Sequence, residues 1–145
     1  QYKPSMLLQV VFMQEIMRMV FDIDPCPASR PRVSRWSTYY PKKYTQFRKE
    51  MKALTSEMDM TPSEKLISVD IEFNVRIPKS WSKKKSKEKN GQYCDNGCDI
   101  DNYLKAILDS LNGVLFVDDR QVVEVYARKR YSDKPNIKFA MKELE

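Results

Sequence analysis

The chain has 145 residues, 41% of them hydrophobic and 11% aromatic, which suits one domain with its own core and excludes a disordered chain. Lysine and arginine total 26 against 20 aspartates and glutamates, a net charge of +6, and there is no histidine. The basic surplus suits a polyanionic partner. The missing imidazole excludes Ser-His-Asp and Cys-His catalysis, histidine general bases and every histidine-ligated zinc site.

Residues 1–17 read as an N-terminal extension, native or vector-derived, ahead of a domain over residues 18–145. Met6 to Met17 is apolar but interrupted by Gln9, Gln14 and Glu15. It is too short to span a bilayer and lacks a signal-peptide cleavage site, so an amphipathic helix packed on the domain or a partner chain is expected. No membrane association is expected. Met19, Phe21 and Ile23 alternate with polar and smaller positions, predicting a first strand that stops at Pro25. Pro25, Pro27 and Pro31 keep Cys26–Tyr40 a basic, non-helical loop. After Pro41, the spacing of Tyr44, Phe47, Met51, Leu54 and Met58 predicts a helix that ends before Pro62. From Ile67 to Ile77 apolar and polar residues alternate, a half-buried strand closed by Pro78. The Lys-Ser run to Asn90 reads as a solvated loop. Leu104, Ile107, Leu108 and Leu111 predict a second helix, stopped at Asn112-Gly113 by a left-handed C-cap. Gln121–Tyr131 and Asn136–Lys142 read as two strands of a hairpin around Ser132-Asp133-Lys134-Pro135. The order β-α-β-α-β-β predicts a mixed sheet with two helices packed on it, in the α/β or α+β class.

Charge falls in blocks. Arg30 to Lys52 carries eight cations against Glu50, and Lys79 to Lys89 carries six lysines against Glu88. Between these and the last strands, Asp95 to Asp119 carries six aspartates against Lys105 alone. Basic arms around an acidic centre suit a polyanion held at a cation-binding site. Arg30, Arg32, Arg35, Lys42 and Lys43 from the first arm, with Lys83, Lys84, Lys85 and Lys87 from the second, are the candidate phosphate contacts. Three cysteines, Cys26, Cys94 and Cys98, are an odd number and fit free thiols in a reducing cytoplasm. Only Cys26 could join the C-x3-C pair as a third thiolate, so zinc is not expected.

Asp99 and Asp101 sit where a loop becomes a helix, with Asp101 as a good N-cap. If Asp99 and Ile100 are extended, both carboxylates project to one side. Asp118 and Asp119 stand where the loop after that helix enters the next strand. The connection from Leu111 through Phe116 is long enough to let this second pair return towards the first. Gathered carboxylates repel one another unless a divalent cation neutralises them, and oxygen-only ligands select Mg²⁺ or Mn²⁺. Lys105, four residues after Asp101, shares its helical face and can place a positive charge beside a phosphate. The plainer reading is an N-cap at Asp101, a turn at Asp118-Asp119, and a solvent-facing Asp109.

Two segments carry a family resemblance: Asp99-Ile100-Asp101-Asn102-Tyr103-Leu104-Lys105, running on to Asp109-Ser110-Leu111-Asn112, and Asp118-Asp119-Arg120-Gln121-Val122-Val123. Their order, spacing and strand context resemble the RusA family of Holliday junction resolvases of bacteria and phages, whose pattern is D-x-D-N-L-x-K, then D-[AS]-L-[NT], then D-D-x-Q-[VI]-V. Pro31-Arg32-Val33-Ser34-Arg35 is similar to the family's basic loop. Tyr103 replaces the usual leucine, a change in packing rather than chemistry. Cys98 stands where relatives carry proline or a basic residue, and Met6–Met17 has no counterpart. The resemblance implies Asp99, Asp101 and Asp119 as essential carboxylates, Asp118 as a fourth metal ligand, and Lys105 as the essential cation.

The expected activity is therefore Mg²⁺-assisted phosphodiester hydrolysis that resolves four-way DNA junctions in recombination, repair or phage DNA processing. It needs no small-molecule cofactor and would run in the cytoplasm. Trp36, Tyr39 and Tyr40 could stack on exposed bases; alternatively Trp36 covers the core and Tyr40 caps the helix packing. A junction has two-fold symmetry and one chain offers one D-x-D, so a homodimer is expected. Two other readings are a less selective flap or branched-DNA nuclease and a non-catalytic nucleic-acid-binding module.

Overall fold

The structure, a computed structural model, describes residues 8–13, 15–95 and 97–144, with side chains from Glu15 onward. Its centre is a five-stranded sheet in the order β1-β2-β7-β5-β6, built from β1 (Leu8–Met13), β2 (Ile16–Phe21), β5 (Leu66–Arg76), β6 (Val122–Ser132) and β7 (Asn136–Leu144). A separate two-stranded ribbon joins β3 (Arg32–Val33) to β4 (Thr38–Tyr39). The helices are α1 (Lys42–Thr55), α2 (Lys83–Lys89) and α3 (Ile100–Leu111). This is a mixed α+β architecture, as the element pattern predicts.

One sheet face carries the core. Ile67, Val69, Ile71 and Phe73 of β5 are buried with Phe21, Ile137 and Phe139. Against them pack Tyr44, Phe47, Met51 and Leu54 of α1 and Tyr103, Ala106, Ile107 and Leu111 of α3. In α1 the spacing of Tyr44, Phe47, Met51 and Leu54 read from the sequence is the spacing of buried positions. In α3 the buried face is instead Tyr103, Ala106, Ile107 and Leu111, with Leu104 and Leu108 only half-buried beside it. Tyr103 stacks on Phe73 with ring centroids 5.4 Å apart, and burial pushes its hydroxyl up to about 12. The opposite face of β5 is polar: Arg128 bonds Asp70 at 2.8 Å and Glu72 at 3.0 Å, and Arg130 and Lys138 also reach Glu72.

The structure differs from the sequence reading in four elements. Residues 8–13 form a strand rather than an amphipathic helix, paired antiparallel with β2. Their run of Val10, Val11 and Phe12 favours the pleated backbone, and Glu15, just before β2, has a positive φ of 65°. Gln1–Leu7 and Gln14 lie outside the described residues. The Lys-Ser run is a helix, α2, capped by Ser82, whose hydroxyl accepts the Lys85 N–H at 3.1 Å. Lysine is a good helix former, and no residue of α2 is buried.

The last two strands are not hydrogen-bonded neighbours: β5 lies between them, parallel to β6 and antiparallel to β7. The turn at Ser132–Pro135 reverses the chain as expected, but β7 passes to the far side of β5. Finally, the loop after Pro31 folds into the β3–β4 ribbon. Its tip leaves Trp36 85% exposed, so Trp36 does not cover the core.

Candidate active site and nucleic-acid interface

α3 organises the site. Asp99 is its N-cap residue, in extended conformation and without a side-chain cap bond. Ile100 and Asp101 already lie inside the helix, so the cap falls at Asp99 rather than Asp101, and strand-like alternation does not align the two carboxylates. Both residues are exposed, and their carboxylates make no hydrogen bond or ion pair among the described residues. A cation is close by, since Lys129 Nζ donates to the Cys98 carbonyl at 2.9 Å. Asp101, Lys105 and Asp109 follow at four-residue spacing, which stacks them on one helical face.

At the other end, α3 closes tightly. Leu115 N–H bonds the Leu111 carbonyl at 3.1 Å and Gly113 N–H bonds the Phe116 carbonyl at 2.7 Å. Gly113 takes φ +78°, the left-handed geometry predicted for this C-terminus. The chain then enters a 3₁₀ turn at Asp119–Gln121. Asp118 accepts the Arg120 N–H at 3.0 Å, and its own N–H donates to Gln121 Oε1 at 2.9 Å. Gln121 Nε2 ties the turn to the Ser63 and Lys65 carbonyls at 2.7 and 2.8 Å. Asp118 is therefore a cap whose carboxyl is held below its ordinary value by the Arg120 N–H. Asp119 moves the other way, raised first by burial and then by its hydrogen bond with Asp118 and the charges of Asp118 and Asp109.

Because the connection is compact, the second pair returns beside the Lys105–Asp109 part of α3. Lys105 and Asp109 each act electrostatically on Asp119. Lys105 Nζ lies 3.2 Å from Asp109 Oδ2, a bond that raises the lysine pKa and keeps it charged. Among the described residues, no group of three or more Asp, Glu, Cys or His is placed to hold a metal ion. The four candidates stand instead as two pairs along the chain, Asp99 with Asp101 and Asp118 with Asp119, and of these Asp119 comes within electrostatic reach of Lys105. Carboxylates held in twos, rather than gathered in a cage, are compatible with Mg²⁺. Mg²⁺ keeps several waters and commonly binds through one or two carboxylates plus substrate phosphates, not through an all-protein cage. No disulfide joins Cys26, Cys94 or Cys98 to one another among the described residues.

The candidate phosphate contacts are all exposed. Arg30 lies in the loop before the ribbon, Arg32 in β3, and Arg35 at the ribbon tip with its guanidinium 5.1 Å from the Trp36 ring centre. Lys42 and Lys43 open α1. Lys83, Lys84, Lys85 and Lys87 lie on α2, which begins two residues after Trp81, whose ring lies 5.0 Å from that of Tyr131 near the far end of β6. Asp119 precedes the first residue of β6, whose 11 residues extend about 33 Å. The lysine helix and the Asp118-Asp119 turn thus serve opposite ends of that strand.

Sequence reasoning passed over three contributors. Asp109, solvent-facing in the plainer sequence reading, is the direct partner of Lys105; the i, i+4 spacing was the available signal. Gln121 anchors the aspartate turn. Tyr44 of α1 faces the same charges, its hydroxyl raised by burial and then by Asp109. Tyr40 packs edge-on against Tyr44 at 5.7 Å, the helix-capping role open to it in the sequence.

A family model described as Endodeoxyribonuclease RusA matches residues 22–142, from the end of β2 nearly to the end of β7. The uncharacterized protein YqaN of Bacillus subtilis (strain 168) is 35% identical over 82 residues, which covers 54% of this chain and 58% of that protein. The chain therefore matches little more than half of that relative's length. Among the described residues no helix is long and apolar enough to cross a membrane.

Proposed function

From its place in the RusA family of endodeoxyribonucleases, to which the chain belongs, we propose that it resolves four-way DNA junctions by Mg²⁺-dependent phosphodiester hydrolysis. The observation that carries this reading is the position of Lys105: one turn after Asp101 on α3 and within electrostatic reach of Asp119. A charged lysine near a carboxylate pair supplies both signs of charge that phosphoryl transfer needs.

Asp99, Asp101, Asp118 and Asp119 would hold Mg²⁺, with Mn²⁺ as a substitute, and the ion when bound polarises phosphoryl oxygens and makes water a better nucleophile. Lys105 holds its proton and places a positive charge where the transition state gains negative charge. The 3₁₀ turn keeps Asp119 beside it through Gln121. Trp36, exposed at the ribbon tip among Arg30, Arg32 and Arg35, stacks on bases at the branch point, while those arginines and Lys42 and Lys43 bind phosphates. The lysines of α2 extend the footprint to the far end of β6. Two chains related by a C₂ axis match the symmetry of the junction and supply two such sites. A cytoplasmic place of action fits this substrate.

The capping role of Asp118 favours a second reading, a non-catalytic DNA-binding module in which the aspartates only cap and turn. Labelled four-way junction, flap and linear duplex, each with Mg²⁺ and with chelator, separate the readings. Junction cleavage that needs the ion and exceeds flap and duplex cleavage supports the resolvase. Equal cleavage of all branched substrates points to a less selective nuclease, and tight binding without cleavage to the module.

A further inference from the structure

Between α1 and α3 lies an open cleft of about 480 Å³, lined by Tyr40, Arg48, Lys49, Lys52, Asp109 and Ser110 among others. Three of these are cations, and none of them makes an ion pair among the described residues. The nearest acid on their own helix, Glu50, instead accepts a hydrogen bond from Gln46 at 3.1 Å. The Arg48 guanidinium is steered by aromatic rings, 5.1 Å from the centre of Tyr40 and 5.8 Å from that of Tyr44. Among the described lining residues the one carboxylate, Asp109, is committed to Lys105. Three like charges lining one concavity repel one another until an anion enters.

We propose that this cleft seats the backbone of the DNA strand being cut, with Arg48, Lys49 and Lys52 holding phosphates that flank the scissile bond. The assignment rests on the nuclease reading above and adds binding residues to it. Asp109 supplies the continuity, since it lines the cleft and bonds the lysine that acts on Asp119. A strand leaving the carboxylate site along α3 enters the cleft directly.

Scale agrees as well. Arg48 and Lys52 are one helical turn apart, about 6 Å along the axis. A DNA strand presents a phosphate about every 3.4 Å of duplex axis, so α1 meets about two of them. The volume matches a ligand of ordinary small-molecule size, which a short stretch of one strand's backbone fills.

The test is the salt dependence of junction binding by the full chain, measured by fluorescence anisotropy in chelator so that nothing is cut. The variant R48Q/K49Q/K52Q should flatten the plot of log K against log salt by about 1.8, or about 0.9 for each of two phosphates no longer neutralised. R48K/K49R/K52R, which keeps the charges, should restore most of the slope, and unchanged melting temperatures would exclude a folding defect. An unchanged slope in the first variant overturns the proposal. A flattened slope in a protein whose parent chain never cuts junctions with Mg²⁺ or Mn²⁺ keeps the cleft as a phosphate-binding site but overturns its place beside a scissile bond, together with the nuclease reading.

Discussion

Lys105 Nζ and Asp109 Oδ2 are 3.2 Å apart, one helical turn on from Asp101 and beside Asp119. The pair is exposed, 67% for the lysine side chain and 39% for the aspartate, so its contribution to stability is about 0.3–0.5 kcal/mol. Its consequence is positional: Asp109 keeps the ammonium on α3 and competes for it with an incoming phosphate.

Asp109→Asn should therefore tighten junction binding, melt within about 2 °C of the parent, and retain cleavage within about tenfold. Lys105→Ala should lower cleavage by about 100-fold or more, the scale of losing one donor to transition-state charge. Anisotropy and single-turnover cleavage check the two together. Equal losses in both variants would show that Asp109 does more than hold the lysine.

Asp99→Asn, Asp101→Asn and Asp119→Asn should each reduce Mg²⁺-dependent cleavage by more than about 100-fold, since even the outer partners that merely orient a metal's ligands are worth about 10–100-fold. Junction binding should hold or improve, because each change removes a negative charge that repels phosphate. A variant that cuts at near the parental rate would remove that residue from the site.

Replacing Lys83, Lys84 and Lys85 together should flatten the salt dependence of junction binding by as much as about 2.7, or about 0.9 for each phosphate these lysines neutralise. All three belong to a helix with no buried residue, so folding should be unaffected. An unchanged slope would make α2 a solubilising helix about 30 Å along the sheet from Asp119.

Glu72 gives a pH prediction for the opposite sheet face. Burial alone would raise its carboxyl, but hydrogen bonds from Asn74 and Arg128 and the charges of Arg128 and Lys138 outweigh that and lower it from the ordinary 4.5. With the folded-state value depressed, its stabilisation is full above about pH 4.5 and fades as pH falls through the folded-state value. Glu72→Gln should cost roughly 1–3 kcal/mol at pH 7, with the gap in melting temperature narrowing steadily below about pH 4.5. A gap independent of pH would show that packing, not charge, sets the cost.

The elements that bury an apolar face were legible from spacing alone. Val69, Ile71 and Phe73 mark the strand, and Tyr44, Phe47, Met51 and Leu54 mark the helix, because burial imposes the period of the backbone. Strand adjacency was not legible. Ser132–Pro135 announces a reversal, yet whether β7 returns beside β6 or beyond β5 depends on residues distant in sequence. The lysine helix had no buried face to give it a period. For the site, α3 and its C-terminal turn followed from the sequence, as did the grouping of Asp118 with Asp119. The meeting of Asp119 with Lys105 and Asp109 depended on the tight closure at Gly113, which brings the second pair back beside the middle of the helix and not to its start.

The most direct test is a supercoiled plasmid that extrudes a cruciform, incubated with the full chain and Mg²⁺. Paired, symmetric incision by two chains in one binding event converts the circle straight to a linear product with cuts mapped at the cruciform base, and chelator or Asp119→Asn abolishes it. An uncut plasmid with Mg²⁺ or Mn²⁺, or nicked circles accumulating without linear product, would contradict the account.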